Sequence, residues 1–445
     1  MHLGKALDVR RGDSLAFVGA GGKSSILFAL ARELNPPVII TTTTHLGAWQ
    51  TDQVDRHIIL QNIRDFQHMS LGNDRVILIT GPEVEDQRLS ALQPEILENI
   101  HAYCHERDIP LLIEADGARQ RPLKAPAPYE PVIPQWVNRV VVVAGLQGLG
   151  KPLSEKFVHR PEQFAAISGL SLGEKIGVRD IVSVLTSEGG GLQGLPGGAY
   201  RILFLNQADI RDLASKAHRA AESLVAYFQR VLIGSAHMPG KEDIVQSVHS
   251  QVAGIVLAAG GSERLGSPKQ LLEWMGKPFI HNVAKNALEA GLKPLVVVAG
   301  AEHEELGKAL EGLPIKLAIN PDWEKGQALS MQVGLRALPP ACEGVMFLLC
   351  DQPQVSPVMI RQILERFAQN RSAITAPRIQ DMRGNPVLFS KEAFSSLQQV
   401  DGDQGGRAVF NQFKVDWLPW IDDRTSLDVD DAVDIEILTS AYFLE

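Results

Sequence analysis

Two short apolar runs that break directly into glycine-rich turns constrain this 445-residue chain more than any other feature. The first is Ser14-Leu-Ala-Phe-Val18, followed by Gly19-Ala-Gly21-Gly22-Lys23-Ser24. The second is Gly254-Ile-Val-Leu-Ala258, followed by Ala259-Gly260-Gly261. A buried strand ending in glycines lets backbone N–H groups approach an anion closely. Further strand-length runs surround each unit: Val38–Thr42, Val76–Ile79, Leu111–Ala115, Val140–Ala144 and Arg201–Leu205 in the first half. In the second half they are Pro294–Ala299, Lys316–Ile319, Gly344–Cys350 and Ala373–Ala376. Helical stretches separate them, including an Ala-rich one from Ile210 to Val231 and others near 281–290, 303–310, 327–337 and 356–369. Strands alternating with helices predict an α/β chain with mainly parallel sheets and helices on both faces, a three-layer build. At ~150 residues per domain the length allows two to three domains. The polar stretch Gly234–Gln251 divides the halves, giving expected domains at residues 1–245 and 251–445.

Charge then narrows the function. With 43 basic against 52 acidic residues the net charge is −9, which argues against a broad nucleic-acid footprint. Any phosphate must be held by glycine loops, single Lys or Arg residues and metal ions. Three cysteines without a C-x-x-C pair exclude a disulfide framework or zinc knuckle and suit a reducing cytoplasm. No apolar run approaches the ~18 residues of a membrane span, and the first residues lack a signal-peptide core. The expectation is a cytoplasmic protein acting on small molecules, with no membrane and no nucleic acid.

In the second half, Arg264 and Lys269 follow the glycine turn within reach of a phosphate chain held over it. A guanidinium fork suits non-bridging phosphoryl oxygens, and an ammonium suits a leaving pyrophosphate. A solvated basic helix start would also explain them. The full string Leu257-Ala258-Ala259-Gly260-Gly261-Ser-Glu-Arg264-Leu-Gly-Ser-Pro-Lys269 resembles the molybdenum cofactor nucleotidyltransferases, which read L-A-[AG]-G-x-S-x-R-[LM]-G-x-x-K. Cytidylyl-transferring members carry L-A-A-G and guanylyl-transferring ones L-A-G-G, so Ala259 points to CTP. A methyl there would narrow the base slot, although one methyl seldom discriminates by more than ~1–3 kcal/mol.

The resemblance extends along the half. Asn320-Pro-Asp-Trp323-Glu-Lys-Gly326-Gln-Ala-Leu-Ser330 matches a loop-to-helix stretch in which Ser330 would bond base or ribose, although helix capping and packing would also account for Ser330 and Trp323. Met346-Phe-Leu-Leu-Cys350-Asp351-Gln-Pro353 delivers a carboxylate at the end of a strand, where open α/β sheets bind ligands. The resemblance makes Asp351 a Mg²⁺ ligand. It places a second metal carboxylate on Asp430, within Asp428-Val-Asp430-Asp-Ala-Val-Asp434, a tail that departs from the family's D-I-D-T-P-E-D. A solvated helix start would equally account for that tail. Arg383-Gly384-Asn385-Pro-Val and Asp401-Gly-Asp403-Gln-Gly-Gly-Arg407 fall where members bind the pterin phosphate, with Asn385 standing where His is common.

The first half carries a shortened P-loop pattern. Gly19, Gly21 and Gly22 would cradle phosphates, Lys23 reach β/γ oxygens and Ser24 hold Mg²⁺. Glu114 and Asp116 end a strand in Walker-B fashion, and Asn206-Gln-Ala-Asp209 is similar to the N-K-x-D base-reading motif. A βα turn without catalytic use stays open. With Thr41–His45, Glu114–Arg119, Pro122-Leu-Lys-Ala-Pro126 and Val158-His159-Arg-Pro161, the half resembles the selenium-dependent molybdenum hydroxylase accessory family. That resemblance implies ATP or GTP binding in a P-loop-like domain. His45 and His159 are candidate substrate or metal groups, or simply polar loop residues.

Together these readings predict a Rossmann-like nucleotidyltransferase domain that moves CMP from CTP to molybdopterin, with Mg²⁺, for delivery to a molybdenum hydroxylase. The competing readings are guanylyl transfer, transfer to a sugar or alditol phosphate, and a non-catalytic cofactor carrier.

Overall fold

The structure is a computed structural model that describes residues 1–67, 71–236, 244–260, 268–300, 302–429 and 432–443. Two compact units divide the chain, Met1–His249 and Ser250–Glu445. Both are α/β.

The first unit is built on a nine-stranded sheet. Its order is Val245–Ser250, Arg230–Gly234, Tyr200–Asn206, Arg139–Gly145, Ser14–Gly19, Leu111–Glu114, Val38–Thr42, Val76–Thr80 and Arg56–Ile59. From Arg230–Gly234 onward every neighbouring pair is parallel. Side chains alternate between two cores: Ala16 and Val18 join one cluster, Leu15 and Phe17 the other. Coverage on both faces is why these strands read as unbroken apolar runs. The Ser14–Gly19 strand lies centrally, with later strands added on either side. Its carboxyl end is therefore at a switch in winding direction, where a crevice opens.

One expected element differs. The Ala-rich helix covers only Arg211–Leu224, and Arg230–Gly234 is a fully buried strand beside Tyr200–Asn206. Buried parallel strands lack polar alternation, so a short apolar run after a helix reads as more helix. The polar stretch expected to divide the halves also contains a strand, Val245–Ser250.

The second unit carries a mixed sheet in the order Lys316–Ile319, Leu295–Ala299, Val252–Ala258, Gly344–Leu349, Val387–Ser390, Ile374–Ile379 and Met382–Arg383, with Val415–Trp420 also beside Ile374–Ile379. The first four strands are parallel, whereas Val387–Ser390 runs antiparallel between Gly344–Leu349 and Ile374–Ile379. Leu257 registers with Leu349, so the Ala259–Gly260 turn and Asp351 emerge side by side. Among the described residues, no helix is long and apolar enough to cross a membrane.

Candidate nucleotide and acceptor sites

In the first unit, the Gly19–Ser24 turn is held from every side. Gly19 N–H donates to Asp116 Oδ2 at 2.9 Å, Ala20 N–H to Val143 O and Gly21 N–H to the carbonyl of Arg121. A Cβ on Gly21 would lie 2.4 Å from the Gly145 backbone, so only glycine fits. Two of the three glycine amides expected to cradle phosphate, those of Gly19 and Gly21, are therefore engaged within the fold. Anion-binding capacity rests instead on the first turn of the Lys23–Glu33 helix, whose leading N–H groups have no intrahelical partner.

Lys23 is 5% exposed, with Nζ 2.9 Å from Gly19 O and 3.1 Å from Asp116 Oδ1. Burial works to depress its pKa, but Asp116 and Glu114 outweigh it and hold the ammonium above its usual value. Ser24 Oγ donates to Glu114 Oε2 at 2.8 Å. Burial raises the Glu114 pKa, opposed by Lys23 and Ser24.

A network that the motifs did not show supports this end of the sheet. Lys124 Nζ contacts Asp116 Oδ2 at 2.8 Å and Glu130 Oε2 at 2.7 Å, and Arg160 grips Glu130 with bonds of 2.8 and 3.0 Å. The Leu123–Lys124 and Val158–His159 strands pair in parallel, which joins the two Pro-flanked strings. Nothing in the pattern around Glu130 announces its role. Despite the burial that opposes it, bonding to Arg160 and Lys124 lowers the Glu130 pKa to about 2. Burial and the same two cations lower that of His159 to about 4, leaving the ring neutral at pH 7.

A cleft of about 780 Å³ opens over this machinery. Gly21, Gly22, Lys23, Ser24, Glu114, His45 and His159 line it. Two expected base readers do not. Asn206 is 2% exposed; its Nδ2 donates to Gly21 O at 2.7 Å and its Oδ1 accepts from Ala236 N–H. Asp209 Oδ1 accepts from Ser235 Oγ at 3.3 Å. The last residue of the strand is pulled toward the neighbouring loop here, so Asn206 braces the glycine turn and only Gln207 of this motif faces the cleft.

In the second unit, Lys269 Nζ lies 2.6 Å from Asp351 Oδ2. Gln270, buried, donates to Ala258 O at 3.1 Å and Gly260 O at 2.6 Å, fixing the turn from beneath. Asp351 Oδ1 is buried with no hydrogen-bond partner among the described residues. An orphaned carboxylate oxygen facing a cavity suits a divalent cation. The described residues hold no cluster of three or more His, Cys, Asp or Glu side chains that would complete such a site, and Gly261, Arg264 and Asp430 lie outside the described residues.

A pocket of about 300 Å³ is lined by Leu257, Ala258, Ala259, Gly260, Lys269, Trp323, Ser330 and Asp351. Ser330 Oγ accepts from Asn320 Nδ2 at 2.9 Å, and both residues are buried, so Asn320 orients the hydroxyl. A Cβ on Gly300 would lie 2.5 Å from Ala259 O and 2.8 Å from the Trp323 ring, so its absence lets the ring close on the turn. A second pocket, about 200 Å³, is lined by Arg383, Asn385, Asp403, Arg407 and Phe410. Gly384 is not among its lining residues; its N–H donates to Pro377 O. The Arg383 guanidinium sits 4.9 Å over the Phe410 ring, and burial together with Arg407 lowers its pKa. The two pockets share Leu257, Gln327, Leu349 and Asp403. Cys350 is buried, its thiol pKa pushed up by burial and Asp351, which suits a core residue and not a nucleophile.

Comparison with known proteins divides the chain in the same way. A family model described as "YqeC protein" matches residues 15–162, and one described as "MobA-like NTP transferase domain" matches residues 254–416. The "Uncharacterized protein YqeC" of Escherichia coli (strain K12) is 33% identical over 205 residues, 44% of this chain and 77% of that protein. The "Purine catabolism protein PucB" of Bacillus subtilis (strain 168) is 30% identical over 186 residues, 40% of this chain and 89% of that one. A "Probable molybdenum cofactor guanylyltransferase" of Bacillus mycoides (strain KBAB4) is 26% identical over 184 residues, covering 40% and 89%. The chain belongs to the YqeC family through its first unit and to the MobA-like NTP transferase family through its second.

Proposed function

We propose that the second unit transfers CMP from CTP to the terminal phosphate of molybdopterin, forming the cytosine dinucleotide cofactor and pyrophosphate, for delivery to a molybdenum hydroxylase. The observation that carries this reading is the shared wall of the two pockets. One presents a glycine turn, Lys269 and Asp351, the inventory for a nucleoside triphosphate. The other presents Arg383 and Arg407, two guanidinium groups whose mutual repulsion an anionic acceptor relieves.

An acceptor phosphate oxygen attacks the α-phosphorus, the bond to the β-phosphate oxygen breaks, and pyrophosphate leaves. This chemistry needs positioning and charge neutralisation more than proton transfer. Lys269 neutralises the phosphate chain, and the resemblance adds Arg264 to that work. Arg383 and Arg407 hold the acceptor, with Asn385 and Asp403 on the same wall. Asp351, with Asp430 by resemblance, would hold Mg²⁺, which supplies further charge neutralisation.

Ala259 supports CTP, and a relative named as a guanylyltransferase supports GTP as the second reading. Pyrophosphate release with CTP, GTP, ATP and UTP, each with the pterin acceptor supplied, separates them. A preference for GTP overturns the cytidylyl reading.

For the first unit, the proposed activity is binding of ATP or GTP phosphates at the start of the Lys23–Glu33 helix, with Lys23 and the Ser24–Glu114 pair. Lys23→Ala abolishes that binding. Unchanged affinity would overturn it.

A further inference from the structure

The 780 Å³ cleft of the first unit is larger than a phosphate chain requires, and one wall of it has unmet hydrogen-bonding capacity. That wall is the Ala48–Gln53 turn, entered from the Leu46–Gly47 strand and pinned by Ala48 N–H donating to Gln87 O at 2.8 Å. Trp49 lines the cleft with more than half its surface exposed, so the indole is open to a bound molecule. Gln50, next to it, is 5% exposed and also lines the cleft, yet its Oε1 is buried without a partner among the described residues. Thr44 Oγ1, on the same wall, is likewise buried and unpartnered. Buried polar atoms left unsatisfied call for a partner, which in a cleft a bound ligand can supply.

The chemistry of these groups is specific. A carboxamide oxygen accepts, so it calls for an N–H donor. An exposed indole offers a face for a flat ring, and Phe28 contributes a further aromatic edge to the lining. Arg88, Arg119 and Arg121 also line the cleft and form no ion pair with an acidic side chain among the described residues. The start of the Lys23–Glu33 helix, with Lys23, lines the same cleft.

We propose that the Thr44–Gln50 wall is the ring-recognition subsite of the first unit. It takes the amino-bearing edge of a planar heterocycle whose phosphates extend to the Lys23–Glu33 helix. A nucleoside triphosphate and a pterin phosphate share this chemistry. The subsite replaces Asn206 and Asp209 in the role first expected of them. It rests on the phosphate-binding reading of the first unit.

The test is a binding titration on the full chain carrying Asp351→Ala, Lys269→Ala, Arg383→Ala and Arg407→Ala, which removes the groups proposed to hold nucleotide and pterin acceptor in the second unit. Probes are ATP, GTP, a pterin phosphate, and inorganic triphosphate, which reports the anion end alone. Trp49→Ala is expected to weaken at least one ring-bearing probe by roughly 5- to 150-fold, the range of ring stacking on an aromatic side chain, while inorganic triphosphate is unchanged. Trp49→Phe restores most of the affinity, and Gln50→Leu weakens the same probe. The probe most sensitive to Trp49 identifies the ring, nucleoside or pterin. If Trp49→Ala and Gln50→Leu leave every ring-bearing probe unchanged while Lys23→Ala weakens them, the subsite is overturned and the phosphate reading stands. If Lys23→Ala also changes nothing, the phosphate reading falls too.

Discussion

Lys269 Nζ and Asp351 Oδ2, 82 residues apart in sequence, meet at 2.6 Å where the Val252–Ala258 and Gly344–Leu349 strands end side by side. The pair is about one-fifth exposed on each side. A cation at the glycine turn and a carboxylate with one oxygen unpartnered among the described residues give the pocket two distinct handles, one for phosphate and one for metal. That arrangement follows from parallel register, because only adjacent parallel strands present both carboxyl ends at one edge.

Removing either handle should therefore stop turnover without unfolding the unit. Asp351→Ala and Lys269→Ala are each expected to lower pyrophosphate release from CTP and pterin acceptor by about 100-fold or more. The double variant should be little worse than the poorer single one, because groups acting as a unit are not additive. Chelation of divalent ions should abolish turnover in the unaltered chain. Full turnover in Asp351→Ala, with cofactor delivery to a hydroxylase lost, would favour a carrier.

The acceptor pocket predicts a split in kinetic constants. Burial and the neighbouring Arg407 disfavour the charged form of Arg383, and a bound phosphate offsets that. Arg407→Ala should raise the KM for the pterin acceptor by about tenfold, the worth of one charge-assisted bond. The KM for CTP should stay within about twofold. Equal effects on both substrates would show that the pockets are not divided as proposed.

Acid should destabilise the first unit in two stages. His159 has its folded pKa depressed from 6.5 to about 4, so the unfolded chain takes up its proton first. Stability from this group is complete above pH 6.5 and is lost as pH falls toward 4. Glu130 is depressed from 4.5 to about 2, so its contribution, about 3 kcal/mol at most, is present above pH 4.5 and lost as pH falls toward 2. Denaturant midpoints followed from pH 7 to 3 should decline through both windows. His159→Asn should flatten the upper window alone, and a wild-type curve level between pH 6.5 and 4.5 would refute its part.

Glu130 also marks where the sequence ran out of information. The glycine turns, the strands feeding them and Asp351 were legible because each is a local pattern: an apolar run, a break, then a charged side chain. Glu130 and Gln50 were not, because their roles arise only when distant loops meet. Val387–Ser390 is a further case. Its apolar run was visible as part of a motif, but its antiparallel place between two other strands depends on long-range pairing. Asn206 was visible and misplaced, since a strand-end amide can face the ligand or its own scaffold with the same local sequence.

Asn206 can be tested for that bracing role. Its two bonds tie Gly21 O to Ala236 N–H inside the fold. Asn206→Ala leaves both backbone groups short of a partner, at about 1–3 kcal/mol for each buried group. Thermal unfolding of the first unit should shift down by several degrees. A variant as stable as the parent, but with altered choice between ATP and GTP, would return Asn206 to base reading.

Ala259 offers the most direct test of nucleotide choice. It lies at the end of the Val252–Ala258 strand, 6% exposed, in one cluster with Ile255, Val298, Ala328 and Met331, and it lines the nucleotide pocket. Its backbone oxygen packs closely against Gly300, where a Cβ would lie 2.5 Å from it. Removing the methyl is the smallest change that widens the slot. Ala259→Gly is expected to raise the ratio of kcat/KM for GTP over CTP by about 5- to 10-fold, toward the lower end of what a single methyl contributes. The change should come mainly from improved GTP use, because CTP already fits and loses only weak contact. An unaltered ratio would mean that base selection lies elsewhere along the pocket, with Trp323 and the Ser330–Asn320 pair the next residues to vary.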